Sequence, residues 1–183
     1  GWPGDACIGS TYSTTIRVLG GKGAIMTGLQ GGTIPPGLFP GSGVDGQSFV
    51  LSGTPSQAGV FTFTLSAQDS TGAIITKPFT IKIIGITNLP PTDAVENTAY
   101  SYQLTGAGGD TPYTFELFSG GFPGMTISES GLIGGTPDYA TAGDYPFTVE
   151  IRDITGRSCT STSTIHVNLR PGPDWTQWNW TVF

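Results

Sequence analysis

Residues 53–72 read GTPSQAGVFTFTLSAQDSTG, and residues 135–156 read GTPDYATAGDYPFTVEIRDITG. The chain says the same thing twice, and a period of this length is the first signal that organises a sequence. In the first copy Phe61, Phe63, Leu65 and Ala67 alternate with Thr62, Thr64, Ser66 and Gln68. In the second, Tyr145, Phe147, Val149 and Ile151 alternate with Thr148, Glu150 and Arg152. Alternation with a period of two predicts strands with one buried face. Each strand then runs into Asp-x-Thr-Gly, at Asp69–Gly72 and Asp153–Gly156, where Asp and Gly supply the side-chain hydrogen bond and positive φ of a tight hairpin. A second alternating strand is predicted after each turn, through Phe79, Ile81 and Ile83, and through Ile165, Val167 and Leu169.

The match extends upstream. Ser10-Thr11-Tyr12-Ser13 parallels Thr98-Ala99-Tyr100-Ser101, and each precedes a Gly-Gly pair, Gly20-Gly21 and Gly108-Gly109. Ile34-Pro35-Pro36-Gly37-Leu38 parallels Phe122-Pro123-Gly124-Met125, and Ser52-Gly53-Thr54-Pro55 parallels Gly134-Gly135-Thr136-Pro137. Corresponding positions lie about 84 to 88 residues apart, close to the size of an immunoglobulin sandwich.

This order of motifs resembles the immunoglobulin-like repeats of bacterial and phage surface proteins, a family related to the cadherin-like dystroglycan-type domains. The resemblance spans residues 10–169 in two copies. It implies an all-β chain of two tandem immunoglobulin-like (cadherin-like) β-sandwiches. The implied layout is a first sandwich with an N-terminal extension (1–84), a short linker stiffened by Pro90 and Pro91 (85–91), a second sandwich (92–170) and an aromatic tail (171–183). The family is mostly a scaffold, so it implies a fold far better than a function.

Composition narrows the function. The 183 residues carry a net charge of −6, and the seven basic residues are scattered, which excludes a nucleic-acid surface built on clustered Lys and Arg. No apolar run reaches the ~20 residues that span a bilayer. The chain opens on Gly1 rather than Met, as expected of a processed or cut chain, and removal of a signal peptide fits secretion.

No catalytic constellation emerges, and no enzyme is expected. His166, the one histidine, stands between the apolar positions Ile165 and Val167 and is predicted to point outward. Cys159 is seven residues away on the opposite face, roughly 23 Å along a strand, so the two form no thiol–imidazole dyad. No Gly-x-Ser-x-Gly elbow precedes a helix. The acids, such as Asp69, Glu150 and Asp153, fall in turns or on outward positions rather than as a pair in a cleft. Val95-Glu96-Asn97 resembles the start of a cadherin repeat. However, Asn88, Asp93 and Glu96 offer too few carboxylates for the six to eight oxygens calcium wants. Neither metal nor cofactor is expected.

The two cysteines are too few for a disulfide framework or a Cys-based zinc site. Cys159 aligns with Ile75 and is expected to be a buried free thiol. Cys7 precedes the first strand and is placed at the outer end of the first sandwich. The two would then lie on the order of 40 Å apart, far beyond the ~7 Å of a disulfide. A bridge within one chain would need the sandwiches to fold back on each other; an intermolecular bridge through Cys7 stays open.

The tail is the part no sandwich absorbs. After Pro171 and Pro173 comes DWTQWNWTVF, in which Trp178, Trp180 and Val182 alternate with Asn179, Thr181 and Phe183, and Trp175 precedes them. Exposed, such a cluster is an interaction patch, with Trp175, Trp178, Trp180, Val182 and Phe183 as its anchors; folded back, it covers its own domain. Asn179-Trp180-Thr181 also fits a glycosylation sequon. Three readings of function follow. The first is a structural or adhesive protein of a prokaryotic surface or extracellular filament, meeting a protein partner or itself through strand or tail contacts. The second is a phage virion decoration or tail-appendage protein, and the third a carbohydrate-binding module with the tryptophans as glycan platform.

Overall fold

The structure, a computed structural model, describes residues 4–43, 45, 47–90 and 93–172. The described residues form strands and turns and no helix. The first sandwich holds β1 (Ala6–Cys7), β2 (Tyr12–Arg17), β3 (Met26–Gly32), β4 (Leu38–Ser42), β5 (Ser48–Gly53), β6 (Gly59–Gln68) and β7 (Ile74–Ile86). The second holds β8 (Asp93–Val95), β9 (Tyr100–Gln103), β10 (Gly106–Ala107), β11 (Thr114–Gly120), β12 (Met125–Ile127), β13 (Leu132–Gly135), β14 (Gly143–Arg152) and β15 (Ser158–Asn168).

Both sandwiches use one strand order. Sheet β1-β7-β6-β3 faces β2-β5-β4, and sheet β8-β15-β14-β11 faces β9-β13-β12. The expected alternation places the core: Phe63, Leu65, Ala67, Phe79, Ile81 and Ile83 are buried in the first sandwich, as are Phe147, Val149, Ile151, Ile165 and Val167 in the second. Phe63 stacks on Phe79, and Phe147 meets Phe122 edge-on. One expectation fails at the rim. The alternation puts Leu169 on the inward face of the last strand, yet β15 ends at Asn168 and Leu169 is exposed.

The repeated Pro-Gly and Gly-Thr-Pro motifs have one cause. At Gly37 φ is +87°, and a Cβ there would sit 2.1 Å from the carbonyl oxygen of Thr54; at Gly124 φ is +73°, with Thr136 O at 2.0 Å. Only glycine combines that left-handed backbone with so close an approach of one strand end to the next.

The first residues of the expected linker continue the last strand of the first sandwich. Gly85 and Ile86 belong to β7 and pair with Ala107 and Gly106 of β10. Thr87 N then donates to Thr105 O, and Asn88 clasps the same stretch through Gln103 O and Thr105 N. Residues 85–88 are therefore zipped along the edge of the second sandwich.

Phe63 and Phe147 occupy equivalent sites and are 0% and 1% exposed. Truncation of either to Ala should cost about 3 to 5 kcal/mol in denaturant titration, the usual penalty for a buried Phe. A loss under about 1 kcal/mol would contradict the burial of these rings.

Candidate functional site

The candidate site is the junction, where chemistry-bearing side chains from both sandwiches converge. It begins with a short strand. β1 pairs parallel with the end of β7, Ala6 opposite Ile83 and Cys7 opposite Ile84. This corrects the placement of Cys7: the parallel pairing carries it to the inner end of the first sandwich, not the outer one. β15 begins at the same junction, and Cys159 is its second residue. Cys7 and Cys159 are joined by an intramolecular disulfide with Cα atoms 5.4 Å apart. Cys159 is core-facing as expected, but it is not free, and Cys7 holds its own chain rather than a neighbouring one. The sandwiches do not fold back to achieve this; their adjoining ends meet.

Apolar packing surrounds the bridge. Ile84 and Ile86 of β7 are buried within the core cluster of the second sandwich, and Cys7 and Ile8 pack against the same cluster. Burying two isoleucines is worth about 3 to 6 kcal/mol. Gly108 completes the fit: its φ is +79°, and a Cβ would lie 1.8 Å from Ile83 O and 3.0 Å from Gly59 N of the first sandwich. No other residue admits that contact.

A charged cluster closes one side. Asp153, the first residue of the second Asp-x-Thr-Gly turn, is buried. Its Oδ1 accepts from Thr155 N at 2.9 Å, Thr155 Oγ1 at 2.7 Å and Arg157 N at 3.0 Å. Its Oδ2 accepts from Asp110 N at 3.1 Å and Arg157 Nε at 2.9 Å. Burial alone pushes this carboxyl up, but the bonds from Thr155, the Asp110 and Arg157 amides and the Arg157 guanidinium outweigh it and hold it well below the usual carboxylate range. Arg157 also donates to Asp110 Oδ2 at 2.7 Å and to Asp5, and Lys82 Nζ reaches Asp110 Oδ1 at 2.5 Å. Asp5 and Lys82 come from the first sandwich, so the cluster bridges the two. The sequence reads Asp153 as one of the acids in turns or on outward positions, whereas its side chain is buried. The turn motif was visible, but the cation that fills its second face lies four residues on and was not.

The first copy of the motif works alone. Asp69 accepts from Thr71 Oγ1 at 2.6 Å and from the Lys22 amide at 3.0 Å, which lowers its pKa to about 2. The other sequence candidates lie apart from the junction cluster. His166 points outward, its Nδ1 2.6 Å from Asp144 Oδ1. Asp93 stands in β8 opposite His166. Glu96 is buried and accepts from Ala142 N at 2.8 Å. Among the described residues, no group of three or more His, Cys, Asp or Glu side chains could hold a metal ion. Trp175, Trp178, Trp180, Val182 and Phe183 lie outside the described residues.

The profile of the family described as "Putative Ig domain" matches residues 5–84 and again residues 83–168, and the chain belongs to that family. No curated protein matches the chain. Among solved structures it is similar to an endo-fucoidan hydrolase of glycoside hydrolase family 107, at 22% identity and TM-score 0.37, over 92% of this chain and 28% of that one. It is also similar to the N-terminal Ig1-2 module of the Drosophila receptor protein tyrosine phosphatase DLAR, at 13% identity and TM-score 0.35, over 93% and 95% of the two chains. A third similarity is to PcdhgB3 EC1-4, at 13% identity and TM-score 0.39, over 91% and 49%. The chain thus spans about a third or less of the fucoidan hydrolases that it matches.

Two outcomes follow for the junction. The double variant Cys7→Ser, Cys159→Ser should lose about 2 to 5 kcal/mol, because the bridge closes a loop of 152 residues; an unchanged urea midpoint would count against the staple. Asp153 has a folded pKa below its unfolded one. Its contribution is therefore present above the unfolded value of about 3.9 and is lost as pH falls toward the folded value. Asp153→Asn should shrink the drop in melting temperature between pH 5 and pH 2.5, which thermal scans at the two pH values would read.

Proposed function

We propose that the chain is a non-enzymatic structural or adhesive element of a prokaryotic surface or extracellular filament, assembling through its C-terminal tail. The observation that carries this reading is the junction. Two sandwiches joined by a disulfide, a shared strand and a charged cluster make a stiff unit suited to holding position or bearing load. Default interdomain contacts within a chain permit relative motion, so such fastening is a specific investment. The disulfide supports an oxidising compartment outside the cytosol. No helix among the described residues is long and apolar enough to cross a membrane. For attachment, the sequence offers the tail. Its alternating Trp178, Trp180 and Val182, with Trp175 and Phe183 flanking, suits addition to an exposed sheet edge of a partner or a second copy.

Deleting residues 171–183 should leave the melting temperature of the sandwiches within a degree or two while abolishing assembly, read by light scattering and electron microscopy of native material. Assembly of the truncated chain at wild-type concentration would remove the tail from the reading.

A further inference from the structure

The two sandwiches can be compared position by position, because their ladders and loop bonds coincide. Gly59 pairs with Ile83 where Gly143 pairs with Val167. Ser70 N donates to Lys22 O where Ile154 N donates to Asp110 O. On this register Val18, Leu19 and Gly20 correspond to Gly106, Ala107 and Gly108, and Ile75 corresponds to Cys159.

In the second sandwich every one of these positions is covered by the first. Gly106 and Ala107 form β10 against β7, Gly108 abuts Ile83 O, and Cys159 is 3% exposed beneath Cys7. In the first sandwich the same positions stand open. Val18 and Leu19 lie past the end of β2 with no ladder partner among the described residues, and a Cβ on Gly20 would meet nothing within 4 Å. Leu19 is 90% exposed and Ile75 62%. Between them opens a cavity of about 310 Å³, lined among others by Ile16, Val18, Leu19, Ala67, Ile75 and Phe79.

The geometry points to a docking site for another immunoglobulin-like module at this open end, seated as the first sandwich seats on the second. Its last strand pairs with Val18–Leu19, and apolar side chains equivalent to Ile8, Ile84 and Ile86 fill the cavity. The charges define it further. At the existing junction Lys82 meets Asp110 and Asp5 meets Arg157. At the open end Asp110 is replaced by Lys22 and Arg157 by Ala73, so the incoming module presents a carboxylate where the first sandwich presents Lys82. A second copy of this chain does not meet that description. The tip of its second sandwich carries Glu96, Asn168 and Arg170 in place of Ile8, Ile84 and Ile86, and His166 in place of Lys82.

The test fuses an extra copy of residues 1–88 ahead of Gly1 of the full chain, which restores the spacing that separates Ile8 from Glu96. Lys22→Asp in the original copy removes the repulsion with the added Lys82, and Ile75→Cys offers a thiol where Cys159 would be. Docking predicts a disulfide between the added Cys7 and the Ile75→Cys thiol, mapped by mass spectrometry. It also predicts amide exchange at Val18 and Leu19 slowed at least about tenfold relative to the unfused chain. Leu19→Asp in the fusion, at a side chain too exposed to matter for folding, should reverse that slowing. A thiol that stays free with exchange unchanged would overturn the proposal. So would concentration-dependent protection of Val18 and Leu19 in the unfused wild-type chain, which would make a second copy the occupant.

Discussion

One strand belongs to two cores. β7 carries Phe79, Ile81 and Ile83 in the first sandwich, then delivers Ile84 and Ile86 into the second without interruption. Side chains of successive strand residues point to opposite faces, so a run buried at Ile83, Ile84, Gly85 and Ile86 needs protein on both sides. The junction supplies it. Bending the unit would expose two isoleucines, break the Gly85 and Ile86 ladder and pull on a bridge anchored at Cys7. Each of these costs alone is modest; because they coincide at one strand end, they act together.

The same strand end organises the electrostatics. Lys82 and Asp5 are neighbours through the Lys82 amide, which donates to Asp5 Oδ1 at 3.1 Å. They reach across to Asp110 and Arg157, which the Asp153 turn has already fixed. Exposed ion pairs usually contribute little. Here Asp153 is withdrawn from solvent with five hydrogen-bond donors around it, so Arg157 is oriented before it meets its partners. Preorganised geometry is what lets a charged contact hold a junction in register.

The alternating strands were legible because period two is a local property, readable within ten residues at 59–68 and 143–152. Asp-x-Thr-Gly was legible as a turn for the same reason. The location of Cys7 was not. β1 is two residues long, too short to show alternation, and its partner lies more than seventy positions away. Reading it as the outer end of the first sandwich assumed that a first strand starts where the domain starts, whereas a short parallel strand lies beside the end of β7. The disulfide and the contact of Asp5 with Arg157 both hang on that single pairing. The tail anchors rest on sequence alone.

What the two copies share and where they differ separate two kinds of information. Tyr12 and Tyr100, Gly37 and Gly124, Phe63 and Phe147, and Asp69 and Asp153 recur because one sandwich needs them wherever it stands. The backbone bonds at the tip recur too: Ile8 N donates to Ile84 O at 3.0 Å and Glu96 N to Asn168 O at 3.1 Å. The side chains on that common frame do not recur. Ile8 packs against both cores, whereas Glu96 turns inward to the Ala142 amide and closes its end with a polar contact. The tip that meets the neighbouring sandwich is apolar, whereas Glu96 satisfies an amide of its own sandwich. Identical positions therefore specify the fold, and the positions that diverge between copies specify what each end of the sandwich touches.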